Sequence, residues 1–172
     1  INGKIATDTT RATNVYLINP AGVFFNQGAS LNVAGSFTAT TADYVAMGDG
    51  TGVESRYWAS LGEATTLVSE PPSRFGFLPT GGAGEIRMNL ANIDDPQPFS
   101  TGSFSGVGRS IAVKDTHFID AATLSFRATT SGEIGIHGQR AAEFDDGLVE
   151  AIAGGEIDAE HVVGGGRLGN DG

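Results

Sequence analysis

Three aspartates recur at a constant spacing. Asp95, Asp120 and Asp145 follow one another at intervals of 25 residues. If the chain coils with that period, their carboxylates form a column at about the 4.8 Å spacing of adjacent strands. Carboxylates so close together repel one another unless solvent or a cation such as Ca²⁺ lies between them. These aspartates are therefore candidate calcium ligands or, alternatively, the acid pair of a hydrolase.

The surroundings of the aspartates favour a third interpretation, in which they are turn residues. Each lies just before an apolar strand or at a turn, where an aspartate side chain caps the following backbone. No column of lysine or arginine accompanies them, whereas a lyase needs a strong base beside its metal. We keep Asp95, Asp120 and Asp145 as a weak calcium candidate and expect no cofactor.

The remaining reactive side chains form no catalytic constellation. His117, His137 and His161 stand alone, because none has a second histidine or a glutamate at metal-ligand spacing. The chain has no cysteine, which excludes disulfides, thiolate metal sites and a cysteine nucleophile. The sequence also lacks a G-x-S-x-G elbow. We therefore predict no catalytic residues and no enzymatic activity.

Composition indicates a folded domain without nucleic-acid or membrane partners. The chain has 172 residues, 40% of them hydrophobic, which suffices for a core. Its net charge of −10 argues against nucleic acids and anionic membranes. No apolar run approaches the ~18 residues of a transmembrane helix. Because the sequence begins Ile1-Asn2-Gly3 without a methionine, we take it as a fragment of a longer protein.

Residues 15–35 indicate the type of secondary structure from which the domain is built. Two apolar runs, Val15–Ile18 and Val23–Phe25, flank the sequence Asn-Pro-Ala-Gly at 19–22. Proline at the second position of a turn presets φ, asparagine at the first bonds forward, and glycine is favoured at the fourth. Apolar and polar residues then alternate over 29–33, which is typical of a half-buried strand. This stretch predicts short strands joined by a tight turn.

A repeat in the second half of the chain predicts the fold. Glycines at 84, 108, 132 and 155 each precede an isoleucine by two or three residues, so the repeat length is 23 to 24 residues. Self-similarity at that period indicates a stacked repeat architecture. The local alternation is that of strands, not helices. We predict an all-β, right-handed parallel β-helix (a β-solenoid) with coils of about 24 residues.

This fold assigns an inner face. We predict that the repeated isoleucines stack as a ladder, and that alternate residues of the first stretch join the interior. The ladder consists of Ile86, Ile111, Ile134 and Ile157, and the other inward residues are Val15, Leu17, Val23, Phe25, Leu31 and Val33. Residues 1–80 form the start of the β-helix with a loop insertion, and residues 81–172 form its regular coils, within one continuous domain.

Two segments resemble a known family. Residues 19–25 (NPAGVFF) and 28–41 (GASLNVAGSFTATT) resemble the secretion domain of two-partner-secretion exoproteins, the filamentous haemagglutinin family. This is the TPS, or haemagglutination-activity, domain. The resemblance implies a right-handed β-helix in a secreted, extracellular or cell-surface protein of a Gram-negative-type bacterium. It also implies adhesin, cytolysin or contact-dependent toxin functions, which lie mostly downstream of the secretion domain.

The resemblance also implies a partner and a recognition site. The expected partner is an outer-membrane pore protein that recognises the domain, with a host or neighbouring-cell surface as a further possible partner. The matching motif residues are Asn19, Pro20, Ala21 and Gly22 in the turn, and Leu31, Asn32, Val33 and Gly35 in the strand. Ala21 and Ala34 depart from the residues common in relatives, and the family's N-terminal cap strands and upstream motif are missing.

Alternatives remain open at three points. A β-helical carbohydrate-active enzyme, either a polysaccharide lyase or a hydrolase, is the alternative to a secretion and adhesion module. The single tryptophan, Trp58, is either a ring packed on the domain or a carbohydrate platform. Residues 43–47 fit either one helical turn or a short strand.

Overall fold

The computed structural model describes residues 1–49, 55–60, 68–90, 99–114, 120–136 and 148–152, with Asp120 and 148–152 in backbone only. These residues form thirteen strands and no α-helix. The strands are β1 (Lys4–Ala6), β2 (Val15–Ile18), β3 (Val23–Phe25), β4 (Ser30–Thr40), β5 (Tyr44–Met47), β6 (Arg56–Trp58), β7 (Pro72–Phe77), β8 (Glu85–Asn89), β9 (Phe99–Gly108), β10 (Ser110–Lys114), β11 (Asp120–Ala128), β12 (Gly132–Gly135) and β13 (Leu148–Ile152). Within the described ranges, no helix could cross a membrane.

Two of the three sheets are parallel throughout. Sheet A has the order β1-β4-β9-β11, with β2 also paired to β4. Sheet B has the order β13-β10-β8-β3. From β8 to β11 the chain alternates between sheets B and A. Each of these strands therefore pairs with the strand that the chain last contributed to the same sheet. Parallel pairing requires such crossovers.

The first hydrophobic core lies between sheets A and B. Phe25 of β3 packs edge-on against Phe37, Phe99 and Phe104, with ring centroids 5.6 to 6.1 Å apart. Phe37 and Phe104 face each other across paired strands at 5.8 Å. Offset and edge-to-face aromatic pairs contribute attraction beyond their buried area. The cluster therefore joins the two sheets through a contiguous set of phenylalanines.

A second core lies on the opposite face of sheet A. Sheet C is antiparallel, with the order β12-β7-β5-β6. The apolar residues of sheet C pack with Val107 of β9 and with Tyr16 and Ile18 of β2. The alternate residues of β2, Val15 and Leu17, contact the first core instead. Successive side chains of a strand point to opposite faces. Sheet A is consequently covered by sheet B on one side and partly by sheet C on the other.

The alternating pattern of the first stretch predicted the interior correctly. Val23, Phe25, Leu31 and Val33 are buried in the first core, and Val15 and Leu17 pack against it. Residues 43–47, for which a helical turn and a strand were both open, contain strand β5.

The predicted isoleucine ladder is confirmed for Ile86 and Ile111 and is wrong for Ile134. Ile86 and Ile111 are paired in register, and Val23 continues the row. Ile134 instead pairs antiparallel with Phe75 of β7 and lies in the second core. A glycine-led repeat specifies a spacing but not a pairing partner, and here the exposed edge of β7 takes β12. Ile157 lies outside the described residues.

Phe104→Ala should destabilise the domain strongly, because this ring is 1% exposed and contacts four other phenylalanines. We expect a loss of about 3–5 kcal/mol in the free energy of unfolding, measured by urea titration. Phe24→Ala is the matched control, because Phe24 is 44% exposed. It should change stability by only about 0.5 kcal/mol. Equal losses in the two variants would contradict the placement of the core.

Candidate recognition site

The turn at residues 19–22 is closed by its own hydrogen bonds. The Gly22 amide donates to the Asn19 carbonyl at 3.0 Å, which is the bond of a β-turn. The Asn19 side chain accepts from the Ala21 amide at 3.2 Å and donates to the Gly22 carbonyl at 2.7 Å. The Asn19 amide in turn donates to the Thr40 carbonyl at 2.9 Å, which fixes the turn to the end of β4. The turn is thus held in one conformation.

Glycines allow the next layer of chain to pack under this turn. Gly22 has a φ of +123°, in a region that side chains strongly disfavour. A Cβ at Gly22 would lie 3.0 Å from the Glu85 carbonyl oxygen, and a Cβ at Gly84 would collide with the Pro20 carbonyl oxygen. Both glycines are therefore required by the close approach of two backbones. One side of the turn rests on the start of β8, while Asn19 and Ala21 are exposed.

The structure does not bring the turn and the strand motif together. Leu31 and Val33 are 0% and 2% exposed, so neither side chain is accessible in the folded domain. The turn adjoins Thr40 at the far end of β4. At about 3.3 Å per residue, the length of β4 between Thr40 and the strand motif is about 16 Å to Gly35 and about 30 Å to Leu31. Asn32 is half-buried between them.

Gly35 has a packing role. A Cβ at this position would lie 2.5 Å from the Thr13 carbonyl oxygen. The residue lies in a register shift between Val33 and Ser36, where the chain preceding β2 crosses β4. Ser36 donates through both its amide and its hydroxyl to Asn14 on that crossing segment. Gly35 therefore lets the segment that precedes β2 approach β4 closely.

Sequence reasoning missed the exposed aromatic ring beside the turn. Phe24 is 44% exposed, and the Arg87 guanidinium lies 5.4 Å from its ring centroid. Alternation across Val23, Phe24 and Phe25 could have revealed it, since a central residue between two buried ones must face outward. The accessible side chains near the turn include those of Asn19, Ala21, Phe24 and Arg87.

Most of the predicted calcium column lies outside the described residues. This holds for Asp95 and Asp145, and Asp120 is described in backbone only, paired with Ser100 in sheet A. In the part of the chain that the structure describes, no three histidine, aspartate or glutamate side chains are grouped as a metal site would require.

A buried ion pair links sheet C to the loop between β9 and β10. Arg109 Nη2 lies 2.5 Å from Asp43 Oδ2, and both side chains are only 11% exposed. Asp43 also accepts from the Leu78 amide at 2.7 Å. Arg109 donates further to the carbonyls of Leu78 and Thr130. Removing either charge would leave the other buried without compensation.

A second charged cluster covers the outer face of sheet C. Tyr44 Oη donates to Glu133 Oε1 at 2.6 Å. Arg74 Nε and Arg56 Nη2 lie 3.4 Å and 3.7 Å from the same carboxylate, and the Arg56 guanidinium lies 4.5 Å from the centroid of the Tyr44 ring. Trp58 also packs against Tyr44, with ring centroids 4.9 Å apart. The tryptophan is therefore packed on the domain.

Burial raises the pKa of Tyr44 to about 12, and the hydrogen bond to Glu133 and the negative charge of that carboxylate add to the effect. The raised pKa means that the folded state favours the neutral phenol. Arg56 and Arg74 oppose the shift without cancelling it.

Gly22→Ala should destabilise the domain, because it forces a side chain into a disfavoured φ and against Glu85. We expect a loss of about 1–3 kcal/mol by chemical denaturation. Gly3→Ala is the matched control, since nothing lies within 4 Å of a Cβ there. It should change stability by no more than about 0.5 kcal/mol. An unchanged stability in Gly22→Ala would show that the turn conformation is not required.

Tyr44→Phe should alter the alkaline stability profile. A phenol whose pKa is raised on folding contributes stability below its ordinary pKa of about 10, and this is lost as pH rises through the folded pKa. The stability difference between wild type and Tyr44→Phe should therefore shrink between pH 10 and about 12. Urea unfolding at several pH values measures it. A difference that stays constant over this range would contradict the assignment.

Comparison with known proteins identifies the family of this chain. The model of the TPS secretion domain matches residues 1–142, which includes the turn, both cores and β12. Comparisons with curated proteins and with solved structures returned no match. The match covers most of the 172 residues. The chain therefore belongs to the TPS secretion domain family, and it is a secretion module of a two-partner-secretion exoprotein.

Proposed function

We propose that this domain is recognised by an outer-membrane pore partner and then nucleates β-helix folding outside the cell. The family match supports the class of function. The observation that carries the recognition step is the turn at 19–22, which is conformationally fixed and packed on one side while its Asn19 and Ala21 side chains are exposed. A fixed, exposed turn loses little conformational freedom when a partner binds it.

The proposed recognition has two parts. A partner that meets the folded domain contacts the turn together with Phe24, which lies next to it and is exposed. Leu31 and Val33 are accessible only before the domain folds, because both are buried in the first core. We propose that Asn32 and its neighbours are read in the extended chain, whereas the turn is read in the folded domain, where Thr40 and β8 hold it in place.

We propose a single continuous right-handed parallel β-helix for this chain. The support is the alternation of the chain between two parallel sheets and the in-register pairing within each. Ile86 and Ile111, which pair across adjacent strands, are 25 residues apart, in agreement with a coil of about 24. Strands from residues 1–80 pair with strands from 81–172 in all three sheets, which supports one domain over two.

Nucleation follows from how such a coil is stabilised. Each strand of sheet A pairs with strands from another pass of the chain, and β1 and β2 both cover one edge of β4. A coil that cannot bury its own apolar face is stabilised by the coil beneath it. The domain thus provides the first completed layers on which later coils can stack.

The domain acts outside the cell under this proposal. The family indicates a secreted exoprotein, so the folded form is extracellular. Attachment to the cell surface, and adhesion to a host or neighbouring cell, are proposed for the longer protein. The carbohydrate-active alternative gains no support from the family match.

Ala21→Arg tests the recognition step. This exposed position can accept a long side chain without disturbing the turn hydrogen bonds, which involve the Ala21 backbone and not its methyl group. We expect at least a tenfold weaker affinity for the soluble periplasmic domain of the cognate pore, because loss of an interface contact of about 1.4 kcal/mol corresponds to that factor. Titration calorimetry measures the affinity.

Ala12→Arg is the matched control, since Ala12 is exposed on a different segment. Both variants should unfold at the wild-type urea concentration. If the two arginine variants bound the pore domain as tightly as wild type, the turn would not be part of the recognised surface. If wild type itself did not bind, the proposed partner would be wrong.

A further inference from the structure

Sheet C is assembled from two distant parts of the chain. Strands β5, β6 and β7 come from residues 44–77, whereas its edge strand β12 comes from residues 132–135. The Tyr44 and Glu133 side chains that bond across this sheet are 89 residues apart. The strands of sheet A pair in parallel. In sheet C, by contrast, β12 pairs with β7 in the antiparallel sense.

Strand β12 completes the second core. Ile134 is 3% exposed and packs with Val45, Phe75 and Val107. Ile136 packs against the same cluster, and its amide donates to the Ser73 carbonyl at 2.9 Å. Without these two side chains, one flank of the second core would face solvent. Burial of apolar surface is the principal stabilising contribution here.

Strand β12 also completes the charged face of sheet C. Glu133 is the carboxylate that Tyr44, Arg56 and Arg74 share. Tyr44 reaches it across Gly76, where any side chain would collide with the phenol ring. Two guanidinium groups would lie near each other without their shared counter-charge if Glu133 were absent. The strand thus brings both an apolar and an ionic contribution.

The same strand is tied to sheet A. Arg127 of β11 donates to the Gly135 carbonyl at 2.5 Å, and burial lowers the pKa of this guanidinium. The connection from β11 to β12 has three residues, and within it the Thr129 hydroxyl donates to the Ser131 carbonyl at 2.6 Å. Gly132, the first residue of β12, has a φ of +99°. We refer to sheets A and B together as the parallel body. Strand β12 therefore connects the parallel body to the antiparallel sheet C.

We propose that residues 132–136 form a latch that locks sheet C onto the parallel body, so that sheet C opens and closes as a unit distinct from sheets A and B. This property goes beyond partner recognition and does not depend on it. A consequence does depend on the export proposed above. A chain that emerges with residue 1 first presents β5 to β7 before β12 is available, so β12 is the last strand to join sheet C.

Native-state hydrogen exchange on the whole chain tests the latch. Ile134→Ala should raise amide exchange in β5, β6 and β7 by about tenfold or more, with β4 and β9 unchanged. Ile134→Val, which removes one methylene, should raise it in the same strands by a smaller factor. Glu133→Gln should act on these amides as well, because it removes the charge that the two arginines share.

Ile111→Val is the matched control, because Ile111 is equally buried but lies in the first core. It should raise exchange in sheets A and B. The proposal is overturned if Ile134→Val accelerates exchange equally in all three sheets, since the domain would then open only as a whole. It is also overturned if Ile134→Val and Glu133→Gln both leave β5 to β7 at the wild-type rate.

Discussion

The parallel pairing of β4 with β9 is the interaction on which the rest of the structure depends. It runs from Leu31 against Phe99 to Thr40 against Val107, with one register shift. This register places Phe37 over Phe104 on one face, and it places Val107 on the other. Because side chains alternate across a strand, one pairing sets the contents of both cores. A slip of one residue would exchange the two faces and move the phenylalanines out of the first core.

The parallel sheets and the antiparallel sheet are held in place by different kinds of contact. The parallel sheets A and B bury an almost entirely apolar layer, which includes Phe25 and the residues around it. Sheet C adds a thinner apolar layer, closed by polar contacts that join distant residues, such as Asp43 with Arg109. Apolar burial is non-directional, whereas a buried ion pair is costly unless its geometry is right. The charged contacts therefore fix where sheet C attaches, and the layer between sheets A and B buries the larger set of apolar residues.

Local pattern predicted the elements better than their partners. The alternation over 29–33 and the turn residues at 19–22 are determined by neighbouring residues, and the structure has them as expected. The prediction for Ile134 is wrong because the sequence Gly-Glu-Ile begins both a parallel strand, at Ile86, and an antiparallel one, at Ile134. Strand β5 showed no alternation because all four of its residues are buried, so its type could not be read from periodicity.

The sequence suggests residues for a candidate site, but their arrangement depends on tertiary structure. Conformational requirements such as the positive φ of Gly22 leave a trace in the sequence, because glycine is the residue that meets them. The distance between the turn and Leu31 depends on which end of β4 the turn adjoins, and that contact, from Asn19 to Thr40, is set by tertiary structure. A motif shared by a family can thus combine residues with different physical duties. Here glycines permit close packing beneath the turn and apolar strand residues fill the core, while Asn19 and Ala21 are the two motif residues that are exposed. Buried packing residues and exposed turn residues therefore occupy adjacent positions of one short stretch.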